Sequence, residues 1–152
     1  MNLYGSKRYN LDAKARLTLP ADYRKQIDGN RILLIPLSDA LYGFTPDGFQ
    51  AWVSSFFEQN GKKFEAGNRK HVALRRKLTG NAVPVDIDAA GRIALGKVDA
   101  ADATARTRLG LERDVTVVGV EDHFEVWNTE RWEQENANLA DDLDALMFGG
   151  EI

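Results

Sequence analysis

Two short segments carry the same arrangement of a carboxylate and a guanidinium, Asp12-Ala13-Lys14-Ala15-Arg16 and Asp88-Ala89-Ala90-Gly91-Arg92. Arginine offers five N–H donors in a planar fork that matches phosphate or the edge of a guanine, and Lys14 adds a compact point charge. The chemistry these residues offer is recognition of an anion. An acid four residues before an arginine also has a plainer use, an ion pair that braces a turn. Bond-making chemistry finds little support. His71 and His123 are the only histidines and lie in unrelated contexts, there is no cysteine, and no Gly-rich phosphate loop follows a strand. No catalytic residue, metal site or cofactor is expected.

The two segments belong to a longer internal repeat. LDAKARLTL (11–19) aligns with IDAAGRIAL (87–95) at an offset of 76, and RILLIPLSDALYGFTPDGF (31–49) aligns with DVTVVGVEDHFEVWNTERW (114–132) at an offset of 83. The added length of the second copy falls in 97–108, where Val98, Ala101, Ala105 and Leu109 fit either a regular helix or a looped insertion. Each copy reads as a strand (7–11; 82–87), an Asp-led turn, and a second strand (16–19; 92–95) of alternating polar and apolar residues. Pro20 suits the first turn of a short helix over 21–27 that closes near Gly29. Two further strands follow in each copy, 32–35 and 41–44, then 115–120 and 124–127, with Asp39 and Asp122 in the intervening turns.

A helix closes each copy. Thr45 can cap the first, Pro46 and Asp47 suit its first turn, and Phe49, Trp52, Val53, Phe56 and Phe57 recur at helical spacing. Asn128 or Thr129 can cap the second, whose apolar stripe is Trp132, Leu139, Leu143, Leu146 and Met147, and the end, 148–152, is expected to fray. Residues 59–81, with Lys62-Lys63, Arg69-Lys70 and Arg75-Arg76-Lys77 beside Phe64, Val72, Ala73 and Leu78, predict one or two basic amphipathic helices. A solvated linker face and a nucleic-acid contact both fit that pattern. The resulting division is 1–58, a first half; 59–81, a basic helical connector; 82–134, a second half; and 135–152, an acidic helix or tail.

With 152 residues, 43% of them hydrophobic, the chain can bury a core. The net charge of −3 hides an asymmetry. Residues 1–92 hold fifteen Lys and Arg against nine Asp and Glu, whereas 93–152 hold five against fourteen. A basic front and an acidic back suit phosphate binding at one end and solvation or repulsion at the other, though an uneven surface alone has the same look. The absence of cysteine fits the cytosol, and no long apolar run suggests a membrane span, so a soluble cytoplasmic protein is expected.

The tandem Asp-x-x-x-Arg elements, followed by Leu17-Thr18-Leu19-Pro20 or Ile93-Ala94-Leu95, resemble the MraZ family, as do the segment GVEDHFEVWNTERWE (119–133) and the helical tail. The resemblance covers nearly the whole chain. It implies an α+β fold, a tandem pseudo-twofold swapped-hairpin β-barrel of the AbrB type with peripheral helices. It further implies a closed ring in the octamer to dodecamer range, associated with the nucleoid. Such proteins bind repeated boxes of double-stranded promoter DNA in a division and cell-wall gene cluster and commonly repress it. Many equivalent basic turns on a ring let weak contacts add through effective concentration.

On that footing Lys14 and Arg16 are read as DNA contacts, Arg92 as the matching position, Lys7 and Arg8 as an extension of the same face, and Asp12 and Asp88 as braces. Three features depart from the pattern. Ala15 stands where the family usually has Gly, as Gly91 does in the second copy; Ala90 lacks the charge of Lys14; and Gly96 replaces the proline matched by Pro20. The competing reading is an antitoxin-like module of the same fold whose acidic half grips a protein partner.

Overall fold

The computed structural model of the chain describes residues 1–149. The first half forms β1 (Ser6–Asn10), β2 (Arg16–Thr18), α1 (Ala21–Gln26), β3 (Arg31–Pro36), β4 (Leu41–Phe44) and α2 (Pro46–Ser55). Helix α3 (Arg69–Gly80) leads to the second half: β5 (Val83–Asp86), β6 (Arg92–Ala94), a 3-10 helix (Leu95–Ala100), α4 (Ala105–Leu109), β7 (Asp114–Gly119), β8 (Phe124–Asn128) and α5 (Thr129–Glu135). Helix α6 (Leu139–Phe148) follows. The fold is α+β, as expected.

Six strands form one antiparallel sheet in the order β1-β7-β8-β4-β3-β5, and β2 pairs antiparallel with β6 in a separate ribbon. The order reads the same from either edge once β1 is matched with β5, β7 with β3 and β8 with β4. Every first strand therefore pairs with the third strand of the other half, and the repeat in sequence becomes a repeat in space. The expected barrel does not close. Strands β1 and β5 are the two edges of an open sheet, and the ribbon is a sheet of its own. Pro84 in β5 has no N–H to offer a further strand, which suits an edge position.

Alternation along each strand divides the core between the two sheet faces. Ile32, Leu34, Val115, Val117, Phe124 and Val126 join Leu17, Leu19, Ile93 and Leu95 of the ribbon strands and their exits in the main cluster. Their neighbours on the opposite face, Ile35 and Phe44, pack with Phe49 and Val53 of α2 and Leu78 of α3. Gly43 is required in β4, because a Cβ there would lie 2.2 Å from Phe124 Cζ.

Local differences from the sequence reading have physical causes. Residues 97–108 form neither one helix nor an open loop: Leu95–Ala100 winds as a 3-10 turn, and α4 ends at Gly110, whose φ of 69° is a left-handed cap. The second closing helix is two helices, interrupted after Glu135. The connector yields one helix, capped by the Asn68 side chain, which accepts from the N–H groups of Lys70 and His71. Thr45 caps α2 and Asn128 caps α5. Phe148 is the last residue of α6, while the fraying expected for 150–152 lies outside the described residues.

Candidate nucleic-acid interface

The two Asp-led turns have the same geometry. Asp12 accepts from the N–H of Lys14 at 2.9 Å and of Arg16 at 2.8 Å through Oδ1, and from Arg16 Nε at 2.6 Å through Oδ2. Asp88 accepts from Ala90 N at 3.0 Å, Arg92 N at 2.9 Å and Arg92 Nε at 2.9 Å. In each turn the N–H three residues after the Asp, of Ala15 or Gly91, donates to the Asp carbonyl, and the Asp N–H donates to the Arg carbonyl. Both carboxyls are held below the usual aspartate range, chiefly by the backbone N–H of the arginine; burial opposes this, and the guanidinium and the second amide add to it.

Each Asp ties its own turn together through these bonds, and the bonds do not consume the arginines. Arg16 hydrogen-bonds through Nε, leaving its terminal amines without a hydrogen-bond partner among the described residues. Its side chain is 31% exposed, and that of Arg92 33%. A guanidinium clamped at one edge and open at the other has already lost much of the rotamer freedom that ligand binding would otherwise cost it.

The ribbon sets the turns side by side. Arg16 stands opposite Ala94 and Thr18 opposite Arg92, and Arg92 Nη1 comes within 4.0 Å of Asp12 Oδ2. Each turn also takes a bond from the other half: Leu95 N donates to Ala15 O, and Leu19 N to Gly91 O. The residue supplying that carbonyl is left-handed in both turns, with φ of 57° at Ala15 and 80° at Gly91. Ala15 therefore keeps the turn that Gly91 makes, at a conformational cost of about 1–2 kcal/mol for carrying a Cβ there.

Sequence reasoning missed Arg24. Its side chain crosses Gly91 so closely that a Cβ at that glycine would lie 2.5 Å from Nη1, 2.7 Å from Cζ and 2.8 Å from Cδ. Helix α1 thus brings a cation to the turn in which Ala90 lacks one. Lys14 is exposed at the first turn. The two turns thus carry Lys14, Arg16 and Arg92, with Arg24 reaching across from α1.

Lys7 and Arg8 are not gathered there. They lie on opposite faces of β1: Arg8 donates to Asp114 on β7, with Nε to Oδ1 at 2.8 Å, and Lys7 lies 5.6 Å from the Tyr9 ring centre. Lys7 also lines a groove of about 640 Å³ with Tyr4, Tyr9 and Lys25, which includes none of the turn residues. His123 stands at the β7–β8 turn, buried between Asp122 at 2.7 Å and Glu125 at 3.0 Å, and Glu125 also accepts from Trp127 Nε1. Burial pulls its pKa down, but the two carboxylates outweigh burial and hold it above the ordinary histidine value. Among the described residues no group of three or more His, Asp or Glu could hold a metal ion, and no helix is long and apolar enough to cross a membrane.

Fold and site together define a duplicated α+β chain whose halves pair strand to strand and set two Asp-braced arginines together on one ribbon. The family described as "MraZ protein, putative antitoxin-like" matches residues 3–69 and 78–145. The chain is similar to proteins named Transcriptional regulator MraZ. One from Limosilactobacillus reuteri is 31% identical over 144 residues, 95% of this chain and 94% of the relative. Another, from Limosilactobacillus fermentum, is 31% identical over 145 residues with the same coverage, and one from Desulforapulum autotrophicum is 30% identical over 142 residues, 91% and 88% of the two chains. The chain belongs to the MraZ family.

Proposed function

We propose that this chain is a sequence-specific regulator of transcription that binds double-stranded promoter DNA through the paired turns and is not an enzyme. The observation that carries the reading is the pair of arginines, each held through Nε by its own Asp and still about one third exposed, with Lys14 and Arg24 on the same turns. Arg16 and Arg92 read base edges or phosphate bidentately; Lys14 and Arg24 neutralise phosphates. Lys7 and Arg8 lie outside this surface, and Arg8 would have to leave Asp114 to join it. The names of the relatives support the regulatory role.

The halves, 1–58 and 82–134, interlock as swapped hairpins, joined by the connector 59–81 and followed by the acidic segment 135–152. The subunits close into a ring in the octamer to dodecamer range. The ring works in the cytoplasm at the nucleoid, on repeated boxes in the promoter of a division and cell-wall gene cluster. It represses that cluster.

The second reading, a module acting through a protein partner, is favoured by the acidic residues 93–152 and by the antitoxin-like description of the family. Fluorescence anisotropy on upstream promoter DNA and on unrelated DNA of equal length separates the two. Preference for the promoter, weakened by Arg16→Ala with the fold intact, supports the regulator. Equal binding to both DNAs moves the assignment to a protein partner.

A further inference from the structure

Helix α6 is anomalous among the helices longer than one turn, because none of its residues is buried. Leu139, Leu143, Leu146 and Met147 recur at i, i+4, i+7 and i+8, so they form one stripe, and they are between 44% and 68% exposed. Ten residues make a helix too short to persist alone in water. This one therefore needs something against its apolar stripe. The rest of its surface bears Asp141, Asp142 and Asp144, with no cation in the helix, so an acidic surface such as nucleic acid or anionic lipid is a poor match.

Helix α3 has the opposite character. It carries Arg69, Lys70, Arg75, Arg76 and Lys77 and no acid. Its inner side is occupied: His71 packs on Phe57, Leu78 is buried, and Arg75 stacks on the Phe64 ring at 3.6 Å. On another side Lys70, Leu74 and Lys77 follow at i, i+4 and i+7, all exposed, and among the described residues neither lysine has an acidic partner within ion-pair distance. That side offers an apolar centre, Leu74, flanked by cationic heads and by lysine stems that themselves cover apolar surface.

We propose that the apolar stripe of α6 docks on the Lys70–Leu74–Lys77 side of α3 of a second copy, with Asp142, which borders that stripe, facing the lysines. The two patches are unlike, so the contact is head-to-tail. Each copy keeps one free α6 and one free α3, and such a contact propagates and closes into a ring when the rotation allows, rather than stopping at a dimer. The inference rests on the self-association proposed above and names the surfaces that make it.

The test uses two full-length variants, each with one damaged patch: Leu143→Asp with Leu146→Asp, and Lys70→Glu with Lys77→Glu. All four positions are exposed, so the fold should persist, and circular dichroism checks it. Mass is read by analytical ultracentrifugation of the wild type, of each variant and of their equimolar mixture. The expected result is a large assembly for the wild type, monomers for each variant, and dimers for the mixture, because only one intact α6–α3 junction can then form. A wild type that assembles beside variants that assemble equally well overturns the α6–α3 contact and leaves the ring standing. A mixture that stays monomeric also overturns it. A monomeric wild type overturns both the contact and the ring. Weaker DNA binding by the lysine variant at unchanged mass assigns α3 to DNA and overturns the contact.

Discussion

Substituting Gly91 by Ala tests the paired-turn geometry and the role of Arg24 together. Gly91 sits at φ 80°, where a Cβ costs about 1–2 kcal/mol. The narrower unfolded ensemble of alanine returns about 0.4–1 kcal/mol, leaving a net loss of about 1 kcal/mol. The new Cβ also meets Arg24 at Cδ, so the whole side chain has to swing away and not only its tip. The phosphate contact proposed for Arg24 is then lost from each chain. For each chain engaged on the DNA the slope of log affinity against log salt should become shallower by about 0.9, and the weakening between 50 and 200 mM salt should shrink about threefold. The reverse change, Ala15→Gly, relieves the same conformational cost but gives up a buried methyl, about 0.8 kcal/mol, and adds unfolded-state freedom. Those terms nearly cancel, and stability should stay within about 0.5 kcal/mol of the wild type. Urea unfolding at matched protein concentration, necessary because assembly itself stabilises, gives the first pair of numbers, and anisotropy over a salt series gives the second. A Gly91→Ala protein with wild-type stability and wild-type salt slope refutes the reasoning.

Three further outcomes follow from the same contacts. Thr45→Ala removes the side chain that caps α2 at Gly48 N and should cost about 1 kcal/mol in urea unfolding. Gly43→Ala forces Phe124 out of its site in the sheet and should cost about 1–3 kcal/mol, with a loss of near-ultraviolet ellipticity from the disturbed aromatic packing. His123 has a folded pKa above its unfolded value of about 6.5, so its stabilising contribution is complete below that value and is lost as pH rises through the folded pKa. Urea midpoints taken from pH 6 to pH 8.5 should fall more steeply for the wild type than for His123→Gln; equal slopes would contradict the buried Asp122–His123–Glu125 arrangement.

The repeat made most of the architecture legible. Ile32 to Ile35 and Val115 to Val120 had the branched apolar character of strands; the first lies within β3, and the second falls in β7 up to Gly119, with Val120 just beyond it. The equivalence of Asp12 with Asp88, and of Arg16 with Arg92, became an equivalence of hydrogen bonds. Features set by distant partners were not legible. Arg8 looked like part of a basic face with Lys7, but its partner, Asp114, is 106 residues away and enters only because β1 pairs with β7. Arg24 gave no signal, since nothing near it in sequence pointed to Gly91. The barrel was read from resemblance, and strand registry decided otherwise by leaving β1 and β5 as edges. The apolar residues 132–147 fitted one stripe in sequence, yet the chain breaks after Glu135, leaving Trp132 against Trp127 and the remainder exposed on α6.

The most direct measurement of the central claim is the affinity of the wild type, Arg16→Ala and Lys14→Ala for upstream promoter DNA and for unrelated DNA, each at two salt concentrations. The wild type should prefer the promoter. Arg16→Ala should lose about 1–3 kcal/mol per site and most of its discrimination, while Lys14→Ala should weaken on both DNAs alike with a salt slope shallower by about 0.9. Promoter preference that survives Arg16→Ala undiminished in a folded protein would contradict the assignment of DNA recognition to the paired turns.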